Sequence, residues 1–196
     1  MSYYKDQILE ELVQVKRPDI PELIKYLEES DFFTAPASTR YHDSEPGGLT
    51  YHSWTVFRLF KHKNGIYKLD LPGDTIRIAG LLHDACKINY YKMGKKWYKD
   101  ESTNWKWAQQ DVWQVEDQFP VGHGEKSVIV LQKYIALTEV EILLIRWHMS
   151  SFDAATHFYP HKFAFNDALE KCPGIVALAS ADWESRIVPE EGASNG

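Results

Sequence analysis

Cysteine is scarce in this chain of 196 residues, where only Cys86 and Cys172 occur. Two cysteines in a chain of this length do not form a disulfide framework, which excludes a disulfide-stapled secreted scaffold. The simplest interpretation is a reduced, cytoplasmic protein whose thiols are small buried side chains. A role for Cys86 as a catalytic nucleophile is the less favoured alternative.

Long apolar segments are also missing. No window approaches the roughly 18 apolar residues of a membrane-spanning helix. Residues 1–20 lack the apolar stretch and the cleavage site of a secretory signal. Internal repeats and low-complexity segments are absent as well. We therefore expect a cytoplasmic protein without a membrane partner.

An excess of positive charge is the third absence. The formal net charge is −6, which argues against a surface that grips nucleic acid throughout. The chain is 44% hydrophobic and 26% charged, as is typical of a globular protein. Its length predicts a single domain over residues 1–188, followed by a disordered tail at 189–196.

Apolar residues at helical spacing predict an all-α fold. The predicted helices cover residues 5–14, 21–29, 50–62, 75–88, 123–136, 138–149 and 162–171, and a last helix ends near residue 188. Between residues 90 and 119, aromatic residues partly alternate with polar ones. This pattern predicts a small β-hairpin insertion around residues 95–116, with a three-stranded insertion as the alternative.

Lysines interleave with aromatic side chains in this insertion. Such a mixture suits phosphate contact and base stacking, as in the binding of a short oligonucleotide. The same residues would also pack a hairpin onto the helices, with lysines covering its edge. We favour packing for the residues concerned, which are Tyr90, Tyr91, Lys92, Lys95, Lys96, Trp97, Tyr98 and Lys99.

Six residues that can bind metal fall at inward or terminal positions on five predicted helices. Burying a histidine beside an aspartate is costly unless something coordinates or neutralises the pair. Metal sites in helical bundles are built from side chains on facing helices, and imidazole with carboxylate suits Mn, Fe, Zn, Ni or Co. The six residues are His52, His83, Asp84, His123, His148 and Asp182.

Each of these residues has an ordinary alternative by itself. His123 would begin a helix, His148 would favour the helix dipole as a cation, and Asp84 would be a polar helix residue. The six together favour a metal site. The remaining histidines are interpreted as surface residues, and they are His42, His62, His157 and His161. The alternative for His42 is a place near the site, if the loop over 34–42 borders it.

The order of the six residues resembles the HD-domain superfamily. The sequence matches the H…HD…D signature at His52, His83, Asp84 and Asp182, and His123 with His148 matches the H…HD…H…H…D subset. The resemblance covers residues 50–185 and implies an HD-type helical bundle. Members of the superfamily are mostly metal-dependent phosphohydrolases, and the subset typically binds two metals.

The resemblance also implies how the ions are held. A first ion would take His52, His83, Asp84 and Asp182, and a second would take His123 and His148 with Asp84 as the bridge. The ions would be divalent: Mn, Fe, Ni, Co or Zn, with Mg as a further choice. A hydroxide bridging them would attack a phosphoester or phosphoanhydride of a small phosphorylated substrate such as a nucleotide.

Basic residues near the motif are candidates for substrate contact. Lys87 occupies a position that family members often fill with a lysine near the substrate, which gives it a catalytic and substrate-binding role by resemblance. Many relatives have glycine before that lysine, whereas this chain has Cys86, and a solvated lysine at the helix end is the alternative. Arg40 and Lys126 are further substrate-binding candidates, and Glu125 is a candidate to orient His123.

Three functions stay open at this stage. The first is the phosphohydrolase. The second is a mixed-valent di-iron oxygenase, since relatives such as myo-inositol oxygenase use the same six ligands. The third is a non-catalytic nucleotide binder. The oligomeric state, including a homodimer, is not determined by these residues.

Overall fold

The computed structural model describes residues 2–39, 43–103 and 105–188. Within them the chain forms eight α-helices and one two-stranded sheet, which confirms an all-α fold with a β-hairpin. The predictions for Arg40, His42 and the tail at 189–196 lie outside the described residues. The elements are α1 (Ser2–Val13), α2 (Ile20–Glu29), α3 (Gly48–Tyr67), α4 (Gly73–Leu82), β1 (Tyr91–Asp100), β2 (Lys106–Val115), α5 (His123–Leu131), α6 (Glu139–Trp147), α7 (His161–Lys171) and α8 (Gly174–Ser185).

Helix α3 lies at the centre of the bundle and packs against α4 and α8. Phe57, Phe60 and Leu178 are buried in this contact region. A Cβ at Gly80 of α4 would lie only 3.0 Å from the Cα of Phe57, so glycine allows the two helices to come this close. The close packing draws the end of α4 towards the first half of α3.

Helices α5 and α6 also meet at a glycine. A Cβ at Gly124 would overlap the backbone carbonyl of Arg146, so only glycine fits at this crossing. The start of α5 and the end of α6 are thereby held next to each other.

The predicted helix over 75–88 is wrong at its C-terminal end. Helix α4 ends at Leu82, and Ala85–Lys87 forms a separate 3₁₀ turn. The backbone leaves helical geometry at Asp84, with φ −99° and ψ 23°, and Asn89 follows in the left-handed region with φ 52°. Asp84 therefore projects from a break in the helix and not from its side.

A buried ion pair ties the α1–α2 connection to α4 and α6. The Glu141 side chain is fully buried and accepts hydrogen bonds from Arg17 at 2.9 Å and from Thr75 at 3.1 Å. Glu141 also closes a capping box with Thr138 at the start of α6. One carboxylate thus serves three elements, and its loss would leave the Arg17 guanidinium without this partner.

Strands β1 and β2 pair in antiparallel register from Tyr91–Val115 at the base to Asp100–Lys106 near the tip. Trp97 is 59% exposed and Tyr98 is 41% exposed, so the packing interpretation is wrong for these two rings, and Trp107 on β2 is exposed as well. The base is anchored, because the half-buried Tyr91 donates a hydrogen bond to the carbonyl of Ala37 at 3.2 Å.

Among the helices that the structure describes, none combines the length and the apolar character needed to cross a bilayer.

Candidate metal centre

All six predicted ligands come together at one place in the bundle. Helix α3 supplies His52 and α8 supplies Asp182, while His83 and Asp84 directly follow α4. His123 is the first residue of α5, and His148 directly follows α6. The helix crossings at Gly80 and Gly124 hold these ends in place, so the fold itself assembles the cluster.

Asp84 lies in the middle, and its two carboxylate oxygens face different histidines. Its Oδ2 is 3.3 Å from His52 Nε2 and 3.6 Å from His83 Nε2. Its Oδ1 is 2.7 Å from His123 Nε2 and 3.5 Å from His148 Nε2. Two groups of three ligands therefore share Asp84, and the ligand atoms of each group lie within 4.8 Å of one another. A carboxylate that bridges two cations has this arrangement.

Two of the buried histidines direct a lone pair into the cluster. His83 Nδ1 lies 3.1 Å from the carbonyl oxygen of Gly80, and His148 Nδ1 lies 2.7 Å from that of Ile145. A carbonyl oxygen only accepts, so each Nδ1 donates its proton there and each Nε2 keeps its lone pair. Backbone acceptors of this kind orient the histidines of metal sites.

His148 Nε2 gives the most direct indication that a cation fits. It is buried, and it makes no hydrogen bond within residues 2–39, 43–103 and 105–188. Asp84 Oδ1, 3.5 Å away, is an acceptor and cannot satisfy a lone pair. A buried nitrogen without a partner costs free energy that coordination would recover. The cluster can hold metal ions, and its imidazole and carboxylate donors suit divalent transition metals.

A proton on His52 stands between two carboxylates. Its Nε2 is 3.2 Å from Asp182 and 3.3 Å from Asp84. Burial lowers the pKa of His52, but hydrogen bonds to these carboxylates outweigh it and raise the pKa to about 9. The same contact holds the pKa of Asp182 well below its usual range despite burial. A divalent ion would bring the positive charge that this proton supplies in the metal-free protein.

Burial acts differently on His83. It lowers the pKa of His83 to about 3, in spite of the nearby Asp84 carboxylate. The imidazole is therefore neutral near pH 7, which is the form that binds metal.

Lys87 belongs to the cluster and is not a solvated lysine at a helix end. Its ammonium lies 2.6 Å from Asp84 Oδ2, and its side chain is only 13% exposed. Burial works against the charge, but the carboxylate raises the pKa of Lys87, which keeps it protonated. It holds the pKa of Asp84 well below the usual range, where burial alone would raise it. The predicted position beside the site is found, while a contact with substrate stays a prediction.

Lys126 is the other predicted substrate contact within the described residues, and its ammonium is held away from the ligands by another partner. Lys126 pairs with Asp117 and lies 4.7 Å over the ring of Tyr90. Together with His123 it lines a small cavity of about 90 Å³. Glu125 does not orient His123: its carboxylate pairs with Arg146, and no contact with His123 is found in the described part of the chain.

Two neighbours of the ligands were not predicted. Ser185 donates a hydrogen bond to the carbonyl of Asp182 at 2.7 Å and lies 3.1 Å from His52 Nδ1, so its oxygen is placed to accept from that ring. Because Ser185 follows Asp182 by one helical turn, the sequence already indicates that the two lie on the same face of α8. The buried Cys86 sulfur lies 3.3 Å from His123 Nε2. Burial lowers the pKa of His123, but the neighbouring Cys86 and Asp84 outweigh it and raise the pKa to about 10.

The histidines predicted at the surface are confirmed where the structure describes them. His62, His157 and His161 are exposed. Comparisons with protein-family models, curated proteins and solved structures found no match to this chain.

Proposed function

We propose that this chain is an HD-type metal-dependent phosphohydrolase. It would hold two divalent ions and hydrolyse a phosphoester or phosphoanhydride of a small phosphorylated substrate such as a nucleotide. The observation that supports this proposal is the position of Asp84, whose two oxygens face two separate pairs of imidazole nitrogens. The order of the six ligands along the chain, which resembles the HD superfamily, supports it as well.

When bound, two such ions would stabilise charge on phosphoryl oxygens and make a water molecule nucleophilic near neutral pH. The residues of the chain prepare the site for them. Gly80 and Ile145 fix the rings of His83 and His148 by accepting from Nδ1. The Lys87 ammonium, 2.6 Å from Asp84, offsets carboxylate charge and offers a positive group to a phosphate.

The test combines metal content with turnover. Chelator-stripped protein is titrated with Mn²⁺ by calorimetry, and phosphate release is measured on nucleotides, cyclic nucleotides, oligonucleotides and simple phosphoesters. We expect two bound ions per chain. We expect Asp84→Ala to keep its helical circular dichroism, to lose both binding events and to lose activity by at least about 100-fold.

Asp111→Ala is the matched control, because Asp111 is an exposed aspartate on β2. It should bind metal and turn over substrate as the native chain does. Activity that survives Asp84→Ala would contradict the proposal. Oxygen consumption by iron-loaded protein without phosphate release would identify an oxygenase, and nucleotide binding without turnover under any of the ions would identify a binder.

A further inference from the structure

A cavity of about 480 Å³ lies between the 3₁₀ turn at Ser150–Phe152 and α8. Two of the candidate metal ligands, His148 and Asp182, are on its wall. Its volume falls within the roughly 300–1,000 Å³ that small-molecule sites occupy. A molecule held at the metal centre therefore has room to extend into this cavity.

Two stacked aromatic rings form part of the wall. The rings of Phe152 and Trp183 lie with their centroids 4.8 Å apart and their planes at 9°. Phe152 is nevertheless 63% exposed and Trp183 is 51% exposed. Each ring is close in sequence to a metal-ligand candidate, Phe152 four residues after His148 and Trp183 directly after Asp182. An exposed stack of two aromatic rings thus borders the polar cluster.

A guanidinium completes this surface. The Arg186 guanidinium lies 4.4 Å over the ring of Trp183. It is exposed, and it makes no ion pair in the part of the chain that the structure describes. The nearby Glu184 carboxylate is already bound by Lys63 at 2.8 Å and by Ser180 at 2.9 Å. Arg186 is therefore available for an anionic oxygen of a ligand.

We propose that this cavity binds the nucleoside part of a nucleotide. The base would lie against the exposed side of the Phe152–Trp183 stack, with Arg186 supplying positive charge at the rim and the phosphate at the His/Asp cluster. Aromatic rings and arginine planes are the side chains on which nucleobases stack. The inference rests on the proposed function, because the metal centre is what holds the phosphate.

Binding to the full-length Mn²⁺-loaded protein tests this proposal. Equilibrium dialysis at low temperature measures the Kd of AMP, ribose 5-phosphate, phosphotyrosine and inorganic phosphate. We expect AMP to bind at least about 10-fold more tightly than ribose 5-phosphate, since stacking on aromatic side chains has effects of this size. Equal Kd values of AMP and ribose 5-phosphate in the native protein would by themselves overturn the proposal.

Variants locate the contact. Trp183→Ala and Phe152→Ala should each raise the Kd of AMP about 10-fold and leave the Kd of inorganic phosphate within about twofold. Trp97→Ala is the matched control, because it removes an indole that is also more than half exposed from the hairpin and should change neither constant. Thermal melting verifies that each variant is folded.

The outcomes separate the two proposals. If both variants bind inorganic phosphate and AMP with the Kd of the native chain, the nucleoside site is overturned. The metal centre is not affected by this result. No binding of either phosphate or AMP by the metal-loaded protein overturns both. Phosphotyrosine that binds more tightly than AMP, with the same sensitivity to Trp183→Ala, assigns the cavity to another aromatic phosphoester and also overturns the nucleoside assignment.

Discussion

The helical core buries several polar side chains among its apolar ones, whereas the hairpin leaves aromatic side chains exposed. The core buries His52 at 1% exposure and Asp84 at 3%, while the hairpin leaves Trp97 and Trp107 more than half exposed. A buried charge is costly unless neighbours or a ligand compensate it, so the core polar residues point to a function. An exposed indole carries no comparable cost, and its presence alone indicates much less.

The two regions also differ in how their charges are paired. The core holds Arg17 and Glu141 in a buried network, whereas Lys92 and Glu116 at the base of the hairpin pair at 3.2 Å with side chains 66% and 49% exposed. Removing one partner of a buried pair leaves an uncompensated charge, while an exposed pair is screened by water. An ion pair should therefore contribute much more to the free energy of unfolding in the core than in the hairpin.

Glu141→Ala tests this difference with the largest expected effect. We expect it to lower the free energy of unfolding by about 3–5 kcal/mol, because Arg17 would be left without its buried partner. Glu116→Ala, the hairpin counterpart, should cost less than about 1 kcal/mol. Urea denaturation of both variants measures the two values, and similar losses would remove the distinction between the regions.

Gly124→Ala should have the next largest effect on the free energy of unfolding. A Cβ at this position overlaps the carbonyl of Arg146, so α5 must move away from α6. We expect a loss of about 1–3 kcal/mol in the free energy of unfolding and weaker metal binding, since His123 would move relative to His148. Gly65→Ala in α3 is the control, because a Cβ there meets nothing within 4 Å. An unchanged free energy of unfolding in Gly124→Ala would show that α5 can move away from α6 without cost.

The histidine contribution to the pH dependence of the metal-free protein should come from the helices and not from the hairpin, since no histidine lies between 91 and 115. The pKa of His52 is raised to about 9 and that of His123 to about 10, so both stabilise the fold at low pH. This contribution is lost as the pH rises from about 6.5 through these values. His83, with its pKa lowered to about 3, acts in the opposite sense and loses its contribution as the pH falls below about 6.5.

Thermal unfolding in a chelator at pH 7 and pH 9 measures the alkaline effect. We expect a loss of more than about 1 kcal/mol at pH 9, or a drop of at least about 2–4 °C in Tm. The loss should be smaller in His52→Gln and in Zn²⁺-loaded protein, where a cation replaces the proton. An alkaline loss of equal size in His52→Gln would show that other groups cause it.

Trp97→Ala should have the smallest effect. The ring is 59% exposed, so its removal should change the free energy of unfolding by less than about 0.5 kcal/mol. Leu178→Ala, at a fully buried position of α8, should cost about 2–5 kcal/mol in the same denaturation experiment. A large loss for Trp97→Ala would mean that the hairpin packs against something in solution.

Prediction from the sequence succeeded where the signal was periodic. The apolar stripes located the helices that carry His52 and His123 and the helix that ends just before His148, and alternation located the hairpin. It did less well where a contact depends on three-dimensional distance. The helix end at Leu82, the pairing of Glu125 with Arg146 and the exposure of Trp97 follow from packing that no local pattern encodes.

The amino-acid sequence by itself determined which side chains are able to bind metal and which helices they lie on or directly follow, because helix position follows from local hydrophobic spacing. Only the tertiary structure decided that the two oxygens of Asp84 face separate histidine pairs, that Lys87 lies against this carboxylate, and that Phe152 and Trp183 form a wall beside the cluster. These arrangements require helices to cross so closely that only glycine fits at the contact, and they require α4 to end at Leu82. Both are properties of the packed chain, because they depend on residues that are far apart in the sequence.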